Sequence, residues 1–94
     1  MKEKFSIGDI VKSTAGRDKD KIFLVVGYDD EKVIIVNGKE RKVNSPKRKN
    51  VKHLSKVLIA GDIELAKKIQ SGKPTSNEKV YKSVKTKTEK IQEY

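Results

Sequence analysis

The sequence lacks cysteine and tryptophan, and aromatic residues make up only 5% of the chain. Without cysteine the protein can form neither disulfides nor thiolate metal sites, which is compatible with a reducing cytosol. Hydrophobic residues make up 34% of the 94 positions. A chain of this length and composition suits one small domain with a modest core and an appendage.

Long apolar runs are also absent. The longest, from Ile22 to Val26, is much shorter than the roughly 20 residues that a membrane-spanning helix needs. The first residues, MKEKFSIGDI, contain no apolar segment typical of a signal peptide or a membrane anchor. We therefore expect a cytoplasmic protein that has no membrane partner.

Positive charge is in excess. Lysine and arginine number 23 against 13 acidic residues, which gives a formal net charge of +10. This excess favours a polyanionic partner, either nucleic acid or an acidic membrane surface. Charge alone is compatible with non-specific binding, so it indicates only the class of partner.

The first half of the chain is typical of β-structure. Ile10 and Val11 form one apolar pair, and KIFLVVGY and KVIIV are rich in β-branched residues. The dipeptide Asn37-Gly38 predicts a type I′ hairpin turn, with KERKV as the returning edge strand. NVKHLSK is expected to contain a short final strand. Short strands joined by tight turns predict a small antiparallel barrel over residues 1–58.

The hydrophobic period changes after residue 60. GDIELAKKIQSGK predicts a helix over residues 62–71, with Asp62 as the N-cap and Gly72 just beyond the C-terminus. Ile63, Ala66, Ile69 and Gln70 fall on one face of it, with Leu65 beside them. We expect the four apolar residues to pack on the barrel, and a docking face for a ribosomal protein is the alternative.

A second helix is predicted over residues 77–85, starting near Ser76 or Asn77, with a frayed tail over 86–94. KIFLVVGY and KVIIV are apolar on both faces, so we expect residues 59–85 to pack on the barrel. For Tyr81 we favour a packing or exposed role over stacking on a base.

The stretch STAGRDKDKI, residues 13–22, separates the first two strands. Gly16 can adopt a positive φ at no steric cost, so the loop is expected to bring backbone N–H groups and Arg17 to one outward point. The planar guanidinium of Arg17 suits a phosphate or a base, and Lys19 and Lys21 add charge. An ordinary turn with solvated charges is the alternative.

Two acidic residues interrupt this loop. We expect Asp18 and Asp20, which are unusual in a phosphate-binding loop, to orient Arg17 or Lys19, or to accept hydrogen bonds from loop N–H groups. Neither DKD nor DDE has the glycine and glutamate spacing of a Ca²⁺ loop.

A second basic segment, KERKVNSPKRKNVK, covers residues 39–52. Pro46 stiffens it, and Asn50 is expected to hydrogen-bond a phosphate, a 2′-OH or a base edge. A solvated loop that only promotes solubility is the alternative. The segment contains seven basic residues and a single acidic one, Glu40. The basic residues are Lys39, Arg41, Lys42, Lys47, Arg48, Lys49 and Lys52.

The stretch GDIVKSTAGRDKDKIFLVVGYDDEKVIIVNGKERKVNSPKRKNVKHL resembles a KOW domain, with Gly16 as the KOW glycine. The two basic motifs in it, STAGRDK and SPKRKNVKHL, give a closer resemblance to the KOW-containing large-subunit ribosomal proteins of archaea and eukaryotes, of the L-fourteen-e type, and to their small bacterial relatives. It covers about residues 6–54, and ELAKKI and NEKVYKSV are similar to the short helices that follow in bacterial members. The resemblance implies an SH3-like barrel that binds RNA, usually ribosomal RNA.

We therefore expect a mainly β protein, an SH3-like antiparallel barrel with one or two C-terminal helices, that binds structured ribosomal RNA and associates with the ribosome. Ribosomal proteins are expected as further partners. The alternatives are a protein-docking adaptor of the translation or transcription machinery and an architectural DNA-binding protein. Gly16 is expected to set the loop geometry, and the expected RNA-binding residues are Lys12, Arg17, Lys19, Lys21, Arg41, Lys42, Lys47, Arg48, Lys49, Asn50, Lys52 and His53.

Catalysis is not expected. His53 is the sole histidine, so a Ser-His-Asp triad would have to use it without any supporting motif. No GxxxxGK[ST] phosphate loop is present. Beside Leu54, His53 is more typical of a packed residue than of a metal ligand, and an RNA contact is the other role considered. We expect no metal, no cofactor and no small-molecule substrate.

Overall fold

The computed structural model describes residues 5–92. It contains a five-stranded antiparallel sheet followed by two α-helices, which confirms the prediction of a mainly β fold with C-terminal helices. A 3₁₀ turn, Val51–His53, joins the last two strands. The elements are β1 Ile10–Ser13, β2 Ile22–Asp29, β3 Lys32–Val36, β4 Lys47–Asn50, β5 Leu54–Leu58, α1 Ile63–Gln70 and α2 Asn77–Gln92.

The strands follow the order β4-β3-β2-β1-β5. The first four form a meander, and β5 returns to pair with β1 on the far side. Within residues 5–92, β4 and β5 do not pair with each other, so the sheet has two edges and is not closed into a barrel. The pairing register shifts between Ile10 and Val11 in the β1–β5 pair and between Val25 and Gly27 in the β2–β3 pair, which interrupts regular pairing there.

Both faces of the central strands are buried, as their sequences predict. Strand alternation sends Phe23 and Val25 to one face, where they pack with Ile35. Leu24 and Val26 point to the other face and pack against the helices. The residues that α1 and α2 contribute to this second cluster are Leu65, Ala66, Val80 and Val84.

The connection between β3 and β4 differs from the expected hairpin. Residues 37–46 form a loop, KERKV is not a strand, and the returning strand is KRKN. Asn37 is buried, and its Oδ1 accepts hydrogen bonds from the backbone N–H groups of Lys39 (3.1 Å) and Arg41 (2.9 Å). These bonds fold the chain back locally, so the KERKV backbone is not free to pair with β3.

The first helix agrees with its predicted caps. Asp62 is the N-cap of α1, and its Oδ1 accepts a hydrogen bond from the N–H of Leu65 at 3.1 Å. The second helix is longer than expected, because it continues to Gln92 instead of ending at residue 85. Neither helix in the described part of the chain is long and apolar enough to cross a membrane.

Candidate nucleic-acid interface

The loop between β1 and β2, residues 14–21, is closed by backbone hydrogen bonds. The N–H of Ser13 donates to the carbonyl of Lys21 (3.0 Å), and the N–H of Asp20 donates to the carbonyl of Ser13 (2.8 Å). Gly16 has a φ of 85°, in the left-handed region that its position between two strands predicts. Asp20 also has a positive φ, 71°. The loop is therefore an ordered turn.

Asp18 points into the protein from this loop and is only 8% exposed. Its Oδ1 accepts hydrogen bonds from Ser13 Oγ at 2.7 Å and from Lys49 Nζ at 2.6 Å. Its Oδ2 lies 3.1 Å from Lys47 Nζ. The expectation that Asp18 orients Arg17 or Lys19 was wrong, because its carboxylate instead joins the loop to β4.

Burial alone would raise the pKa of Asp18, since it disfavours the carboxylate. The hydrogen bonds donated by Lys49, Ser13 and Lys47 outweigh that effect and hold the pKa of Asp18 well below its usual range. The carboxylate is therefore ionised at neutral pH and neutralises charge inside the protein.

Lys49 was expected to contact RNA, but it is 7% exposed. Its Nζ bonds both to Asp18 and to the carbonyl oxygen of Ala15, at 2.7 Å. The ammonium group of Lys49 is thus used inside the protein and does not face a phosphate in this conformation. Lys47 is partly exposed and shares the same carboxylate.

Arg48 points to the opposite face of β4 from Lys47 and Lys49, because side chains alternate along a strand. Its Nη2 lies 2.6 Å from Asp29 Oδ2 at the end of β2. The three β4 cations, all predicted to bind RNA, therefore do not lie on one face of the strand. Lys47 and Lys49 meet the β1–β2 loop, whereas Arg48 does not.

Three cations of the β1–β2 loop remain on the outside: Arg17, Lys19 and Lys21, here called the β1–β2 cations. All three are exposed, and none forms an ion pair with another residue in 5–92. Lys12 on β1 lies near them and its Nζ is 3.8 Å from Asp20 Oδ1.

The 3₁₀ turn packs beside the start of this loop. The N–H of Thr14 donates to the carbonyl of His53 at 2.8 Å, and His53 itself is half-buried. Asn50 Oδ1 accepts from the N–H of Lys52 at 3.0 Å, so its side-chain oxygen caps the turn. Lys52 is exposed and adds a cation next to the loop.

The remaining predicted cations lie in the β3–β4 loop, beside α2. Arg41 is half-buried and Lys42 is exposed. The N–H of Val43 donates to Asn77 Oδ1 at 2.7 Å and ties this loop to the start of the helix. Residues 39–52 thus form two groups, one beside α2 and one on β4 and the 3₁₀ turn.

The sequence interpretation missed the roles of Ser13 and Asp18 as internal partners of the β4 lysines. The spacing of Lys47 and Lys49 was a usable signal, since residues two apart on a strand share one face.

Residues 5–92 contain no group of three or more histidine or acidic residues placed to hold a metal ion. A comparison of the sequence with models of known protein families found no match, and neither did a comparison with curated proteins.

Proposed function

We propose that this protein binds RNA, with structured ribosomal RNA as its target in the cytoplasm. The observation that carries the proposal is the sorting of charge in the β1–β2 loop. Asp18 is turned inward and neutralised by β4 lysines, whereas the β1–β2 cations face outward. A loop of mixed sign in the sequence thereby presents a mainly positive outer surface.

The loop is also held in place before any partner binds. Its ends are hydrogen-bonded to each other, and Asp18 anchors its middle to Ser13 and Lys49. A cation on an ordered loop loses less conformational entropy on binding than one on a mobile loop. This arrangement suits Arg17 for a bidentate phosphate contact.

The finer fold that we propose is the SH3-like barrel implied by the KOW resemblance. The four-stranded meander, with β5 returning beside β1, is compatible with such a barrel. Side-chain bonds from Lys47 and Lys49 to Asp18 connect the edge strand β4 to the β1–β2 loop, which brings that edge towards β1.

We propose RNA and not duplex DNA as the partner, because the motifs STAGRDK and SPKRKNVKHL resemble those of ribosomal KOW proteins. The side chains involved are phosphate-seeking, so recognition is expected to depend on RNA shape more than on base sequence. The proposal requires no catalysis and no cofactor.

Crosslinking in living cells, followed by sequencing of the attached RNA, tests the proposal. We expect ribosomal RNA reads concentrated at a few sites, and a loss of those sites when Arg17, Lys19 and Lys21 are replaced by alanine. Crosslinks spread evenly over all cellular RNA, or an unchanged pattern in the triple variant, would contradict it.

A protein-docking adaptor is the second candidate, because two apolar side chains are exposed near the β5–α1 connection. Ile59 is 71% exposed and Ile63 is 42% exposed. Stable capture of a ribosomal or transcription protein after nuclease treatment, lost in Ile59→Ser, would favour this function over RNA binding.

A further inference from the structure

Tyr81 on α2 is 39% exposed and lines a groove next to the β1–β2 loop. The groove lies between α2 and the two loops 14–21 and 37–46, and its volume is about 330 Å³. Small-ligand pockets measure roughly 300–1,000 Å³, so the groove can hold a group the size of one nucleotide. Ile22 and Val84 add apolar surface next to the ring.

Lysines line the groove on each of the three elements: Lys21, Lys39 and Lys85. The Nζ atoms of Lys39 and Lys85 each lie 5.9 Å from the centroid of the Tyr81 ring. This distance is close to the limit of about 6 Å for a cation–π contact, so both ammonium groups are held weakly. A flat group entering the groove can displace them without a large cost.

Carboxylates line the groove as well, from Asp20, Glu40 and Glu89. They repel a phosphate group, whereas they accept hydrogen bonds from the amino groups of nucleobases. The mixture of charges therefore favours a base inside the groove, with its phosphates outside, near the lysines.

The β3–β4 loop forms one wall of the groove and packs directly against the start of α2. A Cβ atom on Gly38 would lie 2.1 Å from the carbonyl oxygen of Asn77, so only glycine allows this close approach. The N–H of Val43, further along the same loop, donates a hydrogen bond to Asn77 Oδ1 and gives the loop a second contact with α2. The groove is thus built before a ligand arrives.

We propose that the Tyr81 groove binds one unpaired RNA base, stacked on the tyrosine ring. This inference rests on the RNA-binding function proposed above and adds a single-stranded element to the target. Lys21 belongs to both the β1–β2 cations and the groove. An RNA with an unpaired nucleotide next to a helical segment would therefore contact both surfaces at once.

The test uses the full chain and two synthetic probes: a blunt duplex RNA and a single-stranded RNA that carries a fluorescent adenine analogue quenched by stacking. Wild type is expected to bind both and to quench the analogue. Tyr81→Leu should weaken single-strand binding roughly 5- to 150-fold, as expected for the loss of one base–aromatic stack, and should abolish quenching. Tyr81→Phe should preserve both properties.

Two exposed lysines on the same helix provide a matched pair that does not depend on the tyrosine variants. Lys85→Ala, inside the groove, should weaken single-strand binding, whereas Lys90→Ala, outside it, should leave that binding near the wild-type value. Duplex binding should be unchanged in Tyr81→Leu.

Two results would overturn the inference, and they are distinguishable. If wild type binds both RNAs and Tyr81→Leu binds the single strand as tightly and quenches as strongly, the groove proposal is wrong while RNA binding stands. If wild type binds neither RNA at low salt, both the groove proposal and the proposed function are wrong.

Discussion

At the scale of single residues, Asp18 determines which lysines of the second basic segment are engaged inside the protein. It satisfies one hydroxyl and two ammonium groups from inside the protein, and Lys49 is almost fully buried beside it. Buried charges of this kind are costly unless they are paired, so each partner depends on the other. The carboxylate of Asp18, which is unusual for the phosphate-binding role that the sequence suggested, instead ties the β1–β2 loop to β4.

Asp18→Asn is expected to lower the free energy of unfolding by about 3–5 kcal/mol, because it leaves Lys49 buried without a counter-charge. Asp20→Asn is the matched control in the same loop. Its side chain is 71% exposed and its ion pair with Lys12 spans 3.8 Å, so we expect a loss of about 0–1 kcal/mol. Asparagine tolerates the positive φ of that position. Urea unfolding measures both, and equal losses would contradict the account.

The effect of Asp18 should also depend on pH. Its pKa is lowered in the folded state, so its stabilising contribution is complete above its unfolded pKa of about 3.9 and is lost as the pH falls through the folded value. The difference in unfolding free energy between wild type and Asp18→Asn should therefore be largest near neutral pH and shrink below about pH 4. A difference that stays constant down to acid pH would show that the carboxylate charge is not responsible.

At the scale of elements, the sequence predicted those whose signals are local. β2 and β3 follow from β-branched runs, and α1 follows from Asp62 and its apolar spacing. β4 could not be predicted in this way, because KRKN has no apolar alternation and is ordered by Asp18 and by pairing with β3. The Asn37-Gly38 signal failed since Asn37 is held by its own side-chain bonds.

The close packing between the β3–β4 loop and α2 gives a prediction at this scale. Gly38 and Gly72 have nearly equal φ values, 78° and 79°, but a Cβ on Gly72 would meet nothing within 4 Å. Gly72→Ala should cost about 1–2 kcal/mol through its backbone alone. Gly38→Ala should cost about 1–3 kcal/mol more, because its Cβ collides with Asn77.

Thermal or urea unfolding of the two glycine variants separates backbone strain from collision. Equal losses would show that the loop moves away from α2 without cost. In that case the groove beside Tyr81 would not be a fixed feature of the protein.

At the scale of the whole molecule, the cations behind the net charge of +10 differ in how far they are buried. Lys49 is buried and paired with a carboxylate, whereas most of the lysines on α2 are exposed. Composition predicted a polyanionic partner, but it could not separate internal from external cations, since burial depends on contacts between distant segments. Among the predicted RNA-binding residues, the structure shows Lys49 buried in an internal ion pair and the β1–β2 cations exposed.

The measurement that tests this account most directly compares two charge-matched triple variants in filter-binding titrations on ribosomal RNA fragments at several salt concentrations. One replaces Arg17, Lys19 and Lys21 by alanine, and the other replaces the exposed α2 residues Lys79, Lys82 and Lys90. We predict that the first lowers affinity strongly and reduces the salt slope by about 2 to 3, near one unit for each lost phosphate contact, whereas the second changes both much less. Equal losses in the two variants would mean a diffuse polycation without a defined site, and would contradict the account.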